Sequence, residues 1–476
     1  MDKYRGKQVL IIGAGRQGTT LARYLAEHGA RVVLNDRREA RQLRAARAAL
    51  ADVPVQWETG GHPLTLLDGT EAVFPSGGVP LELPLIQEAV RRGIPLSNEA
   101  QVFMEAAPCP VVGITGSAGK TTTTTLVGRI AASAADAVSG ISYSQNGTGQ
   151  ALPRRWRKVW VGGNIGNPLI ADVDAMQPDD LAVMELSSFQ LELMTRSPQV
   201  AAVLNITPNH LDRHGTMEAY TAAKARILDF QRGDDVAVLG WEDPGARALQ
   251  SHVQGRLLAF GLHALPAKID GAFLHNDMLV WQEGGAVKPL LARETVHLRG
   301  EHNLRNVLAA VTVAAALGLE AGHMQAGVEG FAGVPHRLEL VRVLDGVVWY
   351  NDSIATAPER AIAAMHAFDE PLVLLAGGRD KKLPWDAWAA LVRQRVRALV
   401  VFGEAADLIL NALAQADGPL PETVLRCGSL EDAVRAAYHA SQPGDVVLLS
   451  PGGTSFDEFR DFAERGERFR AWVDAL

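Results

Sequence analysis

Two cysteines in 476 residues, Cys109 and Cys427, are too few and too far apart for a disulfide framework or a metal knuckle. No apolar run reaches the roughly 18 residues needed to span a bilayer. The charged stretch 1–6 leads straight into a strand-like segment, so no secretory signal is read. An excess of one charge is missing as well. Against 46 Lys+Arg stand 54 Asp+Glu, a formal net charge of −8 spread along the chain. That balance argues against nucleic acid or an anionic membrane as the main partner. Internal repeats and low-complexity segments are also absent. Hydrophobic residues make up 47%, an ordinary globular share. At roughly 150 residues per domain the length suggests about three domains. The expectation is a cytoplasmic, monomeric α/β protein without membrane insertion.

Short apolar runs alternate with helical stretches throughout, the pattern of parallel sheets flanked by helices. In the first hundred residues, strands are expected at 7–12, 31–35, 71–74 and 94–96, with helices at 18–28 and 82–92. A boundary falls where Pro108 and Pro110 bracket Cys109. Strands follow at Val111–Thr115, 181–186, 200–206 and 236–239, then a helix over 302–317. Residues 251–299 are less regular and carry only short strands. From 335 a third pattern starts with 339–344 and 347–351 around Asp345-Gly346, a strong hairpin signal. Near-continuous apolar strands at 372–376, 398–402 and 446–449 complete it. Three domains are therefore expected. They are a Rossmann-like domain at 1–107, a central P-loop ATPase-type domain with a parallel or mixed sheet at 108–334, and a Rossmann-like α/β domain at 335–476.

Gly13-Ala14-Gly15-Arg16-Gln17-Gly18 fits the GxGxxG turn between a strand and a helix, and Asp36 closes the next strand. The glycines admit a diphosphate to the backbone, and the helix N-terminus offers N–H groups. On this turn alone NAD, another diphosphate and no ligand stay equally open. At Gly116-Ser117-Ala118-Gly119-Lys120-Thr121-Thr122 a second glycine loop joins a strand to a helix. The strict GxxxxGK[ST] pattern is not met, since Ile114 stands at its first glycine. The shorter GxxGK[ST] remains. Its backbone N–H groups can wrap phosphates, Lys120 can reach the terminal ones, and the Thr121 hydroxyl can ligate magnesium. No NKxD run specifies guanine, so ATP is the expected nucleotide. Downstream, Glu185 ends a strand and reads either as a magnesium ligand or as a helix-terminal charge. A lone His210 reads first as a structural donor, because magnesium prefers oxygen. By itself Lys224, in a helical stretch, reads as an exposed lysine.

Taken together, TGSAGKTT, MELSSFQLE, NITPNHLDRH, YTAAKARI, GEHNLRNVLAA, GVPHRLE, NDSIAT and LLSPGGTSFDEF resemble the Mur ligase family, ATP-dependent amide-forming enzymes of peptidoglycan synthesis. The first domain, with IIGAGRQG, LNDRR and SGGVP, looks most like the member that adds glutamate to UDP-N-acetylmuramoyl-L-alanine. The resemblance implies that ATP turns the acceptor carboxylate into an acyl phosphate, which the amino group of D-glutamate then attacks. It assigns Lys120 to the transferring phosphoryl group, Thr121 and Glu185 to one magnesium, and Glu185 with His210 to a second. Lys224 matches a lysine that carbon dioxide carbamylates. An ammonium about 4 Å from a divalent ion is repelled by roughly 8 kcal/mol at an effective dielectric of 20, which favours the neutral amine. Asn306, Arg337 and Asp352 fall to adenosine, at an expected domain interface. Gly15, Asp36, Arg37, Ser76 and Asn164 fall to the nucleotide-sugar acceptor. Lys381, Ser455 and Phe462 fall to the incoming glutamate. The family's NDSKAT stands here as NDSIAT, with Ile354 in the lysine's place, which leaves L-glutamate as an alternative. An NAD-dependent dehydrogenase with an appended P-loop domain is the remote alternative, and it leaves His210 and Lys224 without a task.

Overall fold

The aliphatic and β-branched runs form strands, and three separate sheets result. The computed structural model of the chain describes residues 2–139 and 154–476. Strands Gln8–Ile12, Arg31–Asp36, Val55–Thr59 and Ala72–Pro75 make a four-stranded parallel sheet. Gln8–Ile12 lies between Arg31–Asp36 and Ala72–Pro75. The carboxyl end of such a flanked strand is where open parallel sheets leave a crevice. The strand expected at 94–96 is only a single bridge between Val73 and Leu96. Pro95 has no N–H to give a ladder, so pairing stops after one rung.

Ten strands form the central sheet. The first seven of its eight consecutive parallel strands run in the order Ala135–Ser139, Trp156–Gly163, Leu181–Glu185, Val111–Thr115, Val200–Val203, Val236–Gly240 and Arg256–Gly261. Asp270–His275 pairs parallel to the last of these. Met278–Glu283 and Ala286–Ala292 then continue antiparallel. The irregular stretch expected at 251–299 is thus four regular strands. Two of the connections are two-residue turns, Asn276-Asp277 and Gly284-Gly285, with all four residues at positive φ, the twist that suits hairpins. The strand expected over 200–206 stops at Val203. Beyond it Asn205 turns toward the glycine loop, where its carbonyl accepts from Ser117 N–H and its side chain from Ala118 N–H.

The third sheet runs Glu339–Leu344, Val347–Asn351, Val446–Gly452, Leu372–Gly377, Val396–Phe402 and Thr423–Arg426. Only its first pair is antiparallel. Asp345 (φ 52°) and Gly346 (φ 77°) make the hairpin turn foreseen for that pair.

One core runs continuously from the first sheet to the second, through Val9, Leu34, Phe103, Met184 and Tyr220. Accordingly Met1–His297 and Glu301–Phe331 form one compact unit, and Leu298–Gly300 with Ala332–Leu476 a second. Among the described residues no helix is long and apolar enough to cross a membrane.

Candidate active site

The glycine turn after Gln8–Ile12 is tied down from three sides. Gly18 packs so close that a Cβ there would lie 1.9 Å from the Gly13 carbonyl oxygen, which restricts the position to glycine. Ser76 Oγ donates to the same carbonyl at 3.0 Å. Asp36 Oδ2 accepts from Ala14 N–H at 2.8 Å, and its carboxylate is gripped by the Arg38 guanidinium at 2.8 and 2.9 Å. Burial alone would raise the Asp36 pKa, but Arg38 and two backbone N–H groups pull it down to about 2. Asp36 therefore braces the turn that carries Gly15, and Arg37 beside it is exposed. Arg16 Nη2 donates to the Asn164 carbonyl at 3.3 Å, which joins this turn to the central sheet.

Val111–Thr115, Leu181–Glu185 and Val200–Val203 are neighbours, so the loops after them meet at one end of the sheet. Helix Lys120–Ala132 starts behind Gly119, whose φ is 83°. A Cβ at Gly119 would come within 2.2 Å of Asn306 Oδ1. Asn306 is thus buried against the loop. The Lys120 ammonium folds over the loop and donates to the Gly116 carbonyl at 2.8 Å. Thr121 Oγ1 donates to Glu185 Oε2 at 2.8 Å, and Asn164 Nδ2 donates to Glu185 Oε1 at 2.7 Å. Ser117 Oγ holds the Thr207 carbonyl and meets the Tyr220 hydroxyl at 3.0 Å. Thr122 is buried in the first helical turn.

Lys224 is not the exposed lysine its helix suggests; it is 1% exposed. Helix Met217–Asp229 aims it into the loop, where its ammonium donates to the Gly116 carbonyl at 2.9 Å and to Thr115 Oγ1 at 3.3 Å. Burial, and after it the Lys120 charge, hold its pKa well below the usual lysine value, against the opposing pull of Glu185. The neutral amine expected from a nearby divalent ion is thus already favoured by the protein. Among the described residues no three His, Cys, Asp or Glu side chains gather as for a protein cage. One carboxylate and one hydroxyl in contact suit magnesium that arrives with phosphates, because magnesium keeps few protein ligands. His210 stands at φ 54°, ahead of the short helix Leu211–His214, with its ring edge-on to Phe189 at 5.0 Å.

A carboxyl group that sequence reasoning passed over sits at the seam between the first two sheets. Glu99 opens helix Glu99–Ala106 and is 4% exposed. Among the described residues neither of its oxygens has a close hydrogen-bond partner. It lines a cavity of about 10 Å³ with Gln17, Ser76, Gly77, Asn98 and Phe189, the room one water needs. Burial raises its pKa to about 7, only partly opposed by Gln190, the Ile170 N–H and Arg16. Its folded value thus exceeds the unfolded value of 4.5. Stability therefore falls as pH rises between these two values and stays lower above them. Glu99→Gln is expected to remove this fall and to stabilise the protein at pH 8 by on the order of 2 kcal/mol. Urea unfolding at pH 5 and pH 8 measures it, and an unchanged difference between the two would contradict it.

In the second unit, Val347–Asn351, Val446–Gly452 and Leu372–Gly377 are neighbouring strands, and Asp352, Ser455 and Lys381 follow their carboxyl ends. Asp352 accepts from Ser450 Oγ at 2.9 Å and from Leu338 N–H at 3.2 Å, and burial raises its pKa to about 7. Arg337 is half-buried between His336 and Leu338, both at positive φ. Lys381 lies at the surface and donates to Thr356 Oγ1 at 3.0 Å; partial desolvation of its ammonium and the Arg360 charge lower its pKa. The Phe462 carbonyl accepts from Ser353 Oγ at 2.8 Å, and Ser455 is buried. Arg465, missed in the sequence, is fully buried and binds the carbonyls of Ser353 and Gly453, so it fixes both loops. Its signal was only its place inside an amphipathic helix.

Known proteins match along the whole chain. The description "Mur ligase MurD-like, N-terminal domain" matches residues 7–98. "Mur ligase middle domain" matches 114–314, and "Mur ligase, glutamate ligase domain" matches 336–453. The UDP-N-acetylmuramoylalanine–D-glutamate ligase of Symbiobacterium thermophilum is 41% identical over 470 residues, 99% of this chain and 98% of that one. The enzyme of the same name from Pelotomaculum thermopropionicum is 40% identical over 477 residues, 100% of this chain and 99% of that one. Among solved structures, MurF from Acinetobacter baumannii has a TM-score of 0.56 at 17% identity, covering 99% of this chain and 91% of its own. The UDP-N-acetylmuramate–alanine ligase of Thermotoga maritima has a TM-score of 0.54 at 18% identity, covering 98% and 99%. These structural likenesses concern the fold. With its glycine loop, its carboxylate braced by Thr121 and Asn164, and these full-length relatives, the chain belongs to the Mur ligase family of ATP-dependent ligases.

Proposed function

We propose that the protein joins D-glutamate to UDP-N-acetylmuramoyl-L-alanine, with ATP converted to ADP and phosphate, in peptidoglycan precursor synthesis. The observation that carries this reading is the cluster at the carboxyl ends of three neighbouring strands. There Lys120 and the buried Lys224 share the Gly116 carbonyl, and Thr121 and Asn164 hold the two oxygens of Glu185. A carboxylate does not take up an amine at neutral pH, because its oxygen leaves poorly. Phosphorylation of the acceptor carboxylate by ATP gives an acyl phosphate and ADP. Attack by the amino group of glutamate then forms the amide and releases phosphate.

In this reading the loop Gly116, Ser117, Ala118 and Gly119, with Thr122 in the helical turn behind it, wraps the phosphates, and Lys120 balances charge on the phosphoryl group in transfer. Magnesium, when bound, draws charge from the phosphate oxygens. Thr121 and Glu185 would hold it, with His210 and the carbamate of Lys224 offering further donors. The lowered pKa of Lys224 supports the carbamate, since a neutral amine adds to carbon dioxide and releases a proton. Asn306, Arg337 and Asp352 are assigned to adenosine. Gly15, Asp36, Arg37, Ser76 and Asn164 are assigned to the acceptor, and Lys381, Ser455 and Phe462 to glutamate. The labour divides over residues 1–107 for the acceptor's uridine diphosphate, 108–334 for ATP and 335–476 for the amino acid and adenosine, in a monomer that works in the cytoplasm.

Phosphate release with each substrate omitted in turn tests the reaction class. Release that needs the acceptor and ATP, with no change in NADH absorbance, is expected. Release independent of the acceptor would overturn the reading.

A further inference from the structure

The segment after Glu185 is a single turn of helix, Ser188–Leu191. One turn costs more chain entropy than its hydrogen bonds return, so outside contacts must hold it. On one side Ser187 and Gln190 form a capping box, and Asn98 Nδ2 donates to the Gln190 carbonyl at 2.6 Å. The other side is set by His214, whose side chain is 1% exposed. Its Nε2 lies 2.9 Å from Ser188 Oγ, and its Nδ1 lies 2.9 Å from Glu192 Oε1. One imidazole thus bridges positions i and i+4 across the whole turn.

The same ring stacks on Phe189, with centroids 5.3 Å apart and planes at 7°. Phe189 meets the His210 ring edge-on and carries the Arg213 guanidinium at 5.0 Å from its centroid. It also lies beside Gly77, where a Cβ would come within 3.7 Å of the Phe189 Cβ. Arg213 in turn donates to the carbonyl of Val79. His210 stands at a positive φ, which a non-glycine residue keeps only where its surroundings hold it. The order Ser188, His214, Glu192 is that of a nucleophile, base and acid. Ser188 is only 3% exposed, however, so no substrate carbonyl reaches it, and the trio serves as a brace.

We propose that His214 is a positioning residue that couples the loop 76–79 of the first sheet to the His210 loop. By pinning both ends of the Ser188–Leu191 turn, it holds Phe189 against Gly77 and His210 together. The consequence for acceptor binding rests on the ligase reading; the mechanical coupling does not. His214→Phe keeps the stacking ring and removes both hydrogen bonds, whereas His214→Gln keeps one bond and removes the stack.

Hydrogen exchange on the full chain, without ligands, is expected to show loss of protection in both variants at 76–79, 187–192 and 209–214, with Val111–Thr115 unchanged. In calorimetry the Kd for UDP-N-acetylmuramoyl-L-alanine should rise on the order of tenfold while that for ATP stays within about twofold. Phe189→Leu should give the same pattern. Its combination with His214→Phe should be no worse than the worse single variant, because each acts through the other. Unchanged exchange at 76–79 and 209–211, or additive losses in the double variant, would overturn the coupling. A wild-type chain that fails to bind the acceptor would instead remove the ligase reading, and the exchange result would still decide this one.

Discussion

Replacing Lys224 by alanine is expected to lower turnover by about 100-fold or more, the usual scale for losing a preorganised charged group at a reacting centre. Lys224 is 1% exposed and is held by the Gly116 carbonyl and Thr115 Oγ1, so its terminal atom can occupy only one place. Burial and the neighbouring Lys120 favour the neutral amine, which a protonated surface lysine would not offer. Once carbamylated, the residue would present oxygen where it now presents nitrogen. Acetate or formate, which are carboxylates small enough to enter the space left by the side chain, should therefore partly restore turnover in Lys224→Ala. Steady-state ADP formation with and without added formate measures both effects. Undiminished turnover in the variant would remove the lysine from the mechanism. Loss without any rescue would argue for a packing role in place of a carbamate.

The second large effect is expected at Glu185. Its two oxygens each accept one side-chain hydrogen bond, from Thr121 and from Asn164, and the residue is 2% exposed. Glu185→Gln keeps the volume and one acceptor but turns an NH2 group toward the second donor and removes the charge. Turnover should fall by about 100- to 1,000-fold, and the magnesium concentration for half-maximal rate should rise. Asn164→Ala leaves the charge in place and loosens only its orientation, so about 10-fold to 100-fold is expected there. If the glutamine variant lost no more than Asn164→Ala, the carboxylate would be an orienting group and not a charge the reaction uses.

Much of this arrangement is legible in the sequence, because the signals are local. A strand, a glycine loop and Lys120-Thr121 at a helix start lie within a dozen residues, and the hairpin at Asp345-Gly346 is a two-residue signal. What failed was non-local. Lys224 looked exposed because burial of a helix face depends on what packs against it, here the loop after Val111–Thr115. The packing of Asn306 is hidden for the same reason, since Gly119, far off in the chain, makes the hole it fills. The strand at 94–96 was overcalled because its apolar pattern hides the donor that Pro95 lacks. The four strands between 256 and 292 were underrated because their turns rest on Asn, Asp and Gly at positive φ amid weak alternation. Glu99 lies in no motif, and His214, the last residue of NITPNHLDRH, carried no assigned role. The importance of His214 lies in a partner 26 residues away, Ser188, and that of Glu99 in the partners its carboxyl group lacks.

Glutamate itself offers the most direct test of the central claim. Purified protein would be incubated with UDP-N-acetylmuramoyl-L-alanine, ATP and magnesium, with D- or L-glutamate in separate reactions, and both ADP and the amide product quantified. One ADP per amide formed with D-glutamate, and little of either with L-glutamate, is the predicted result. Equal or better use of L-glutamate would favour the alternative that Ile354 leaves open. ADP without any new amide from either enantiomer would contradict the account.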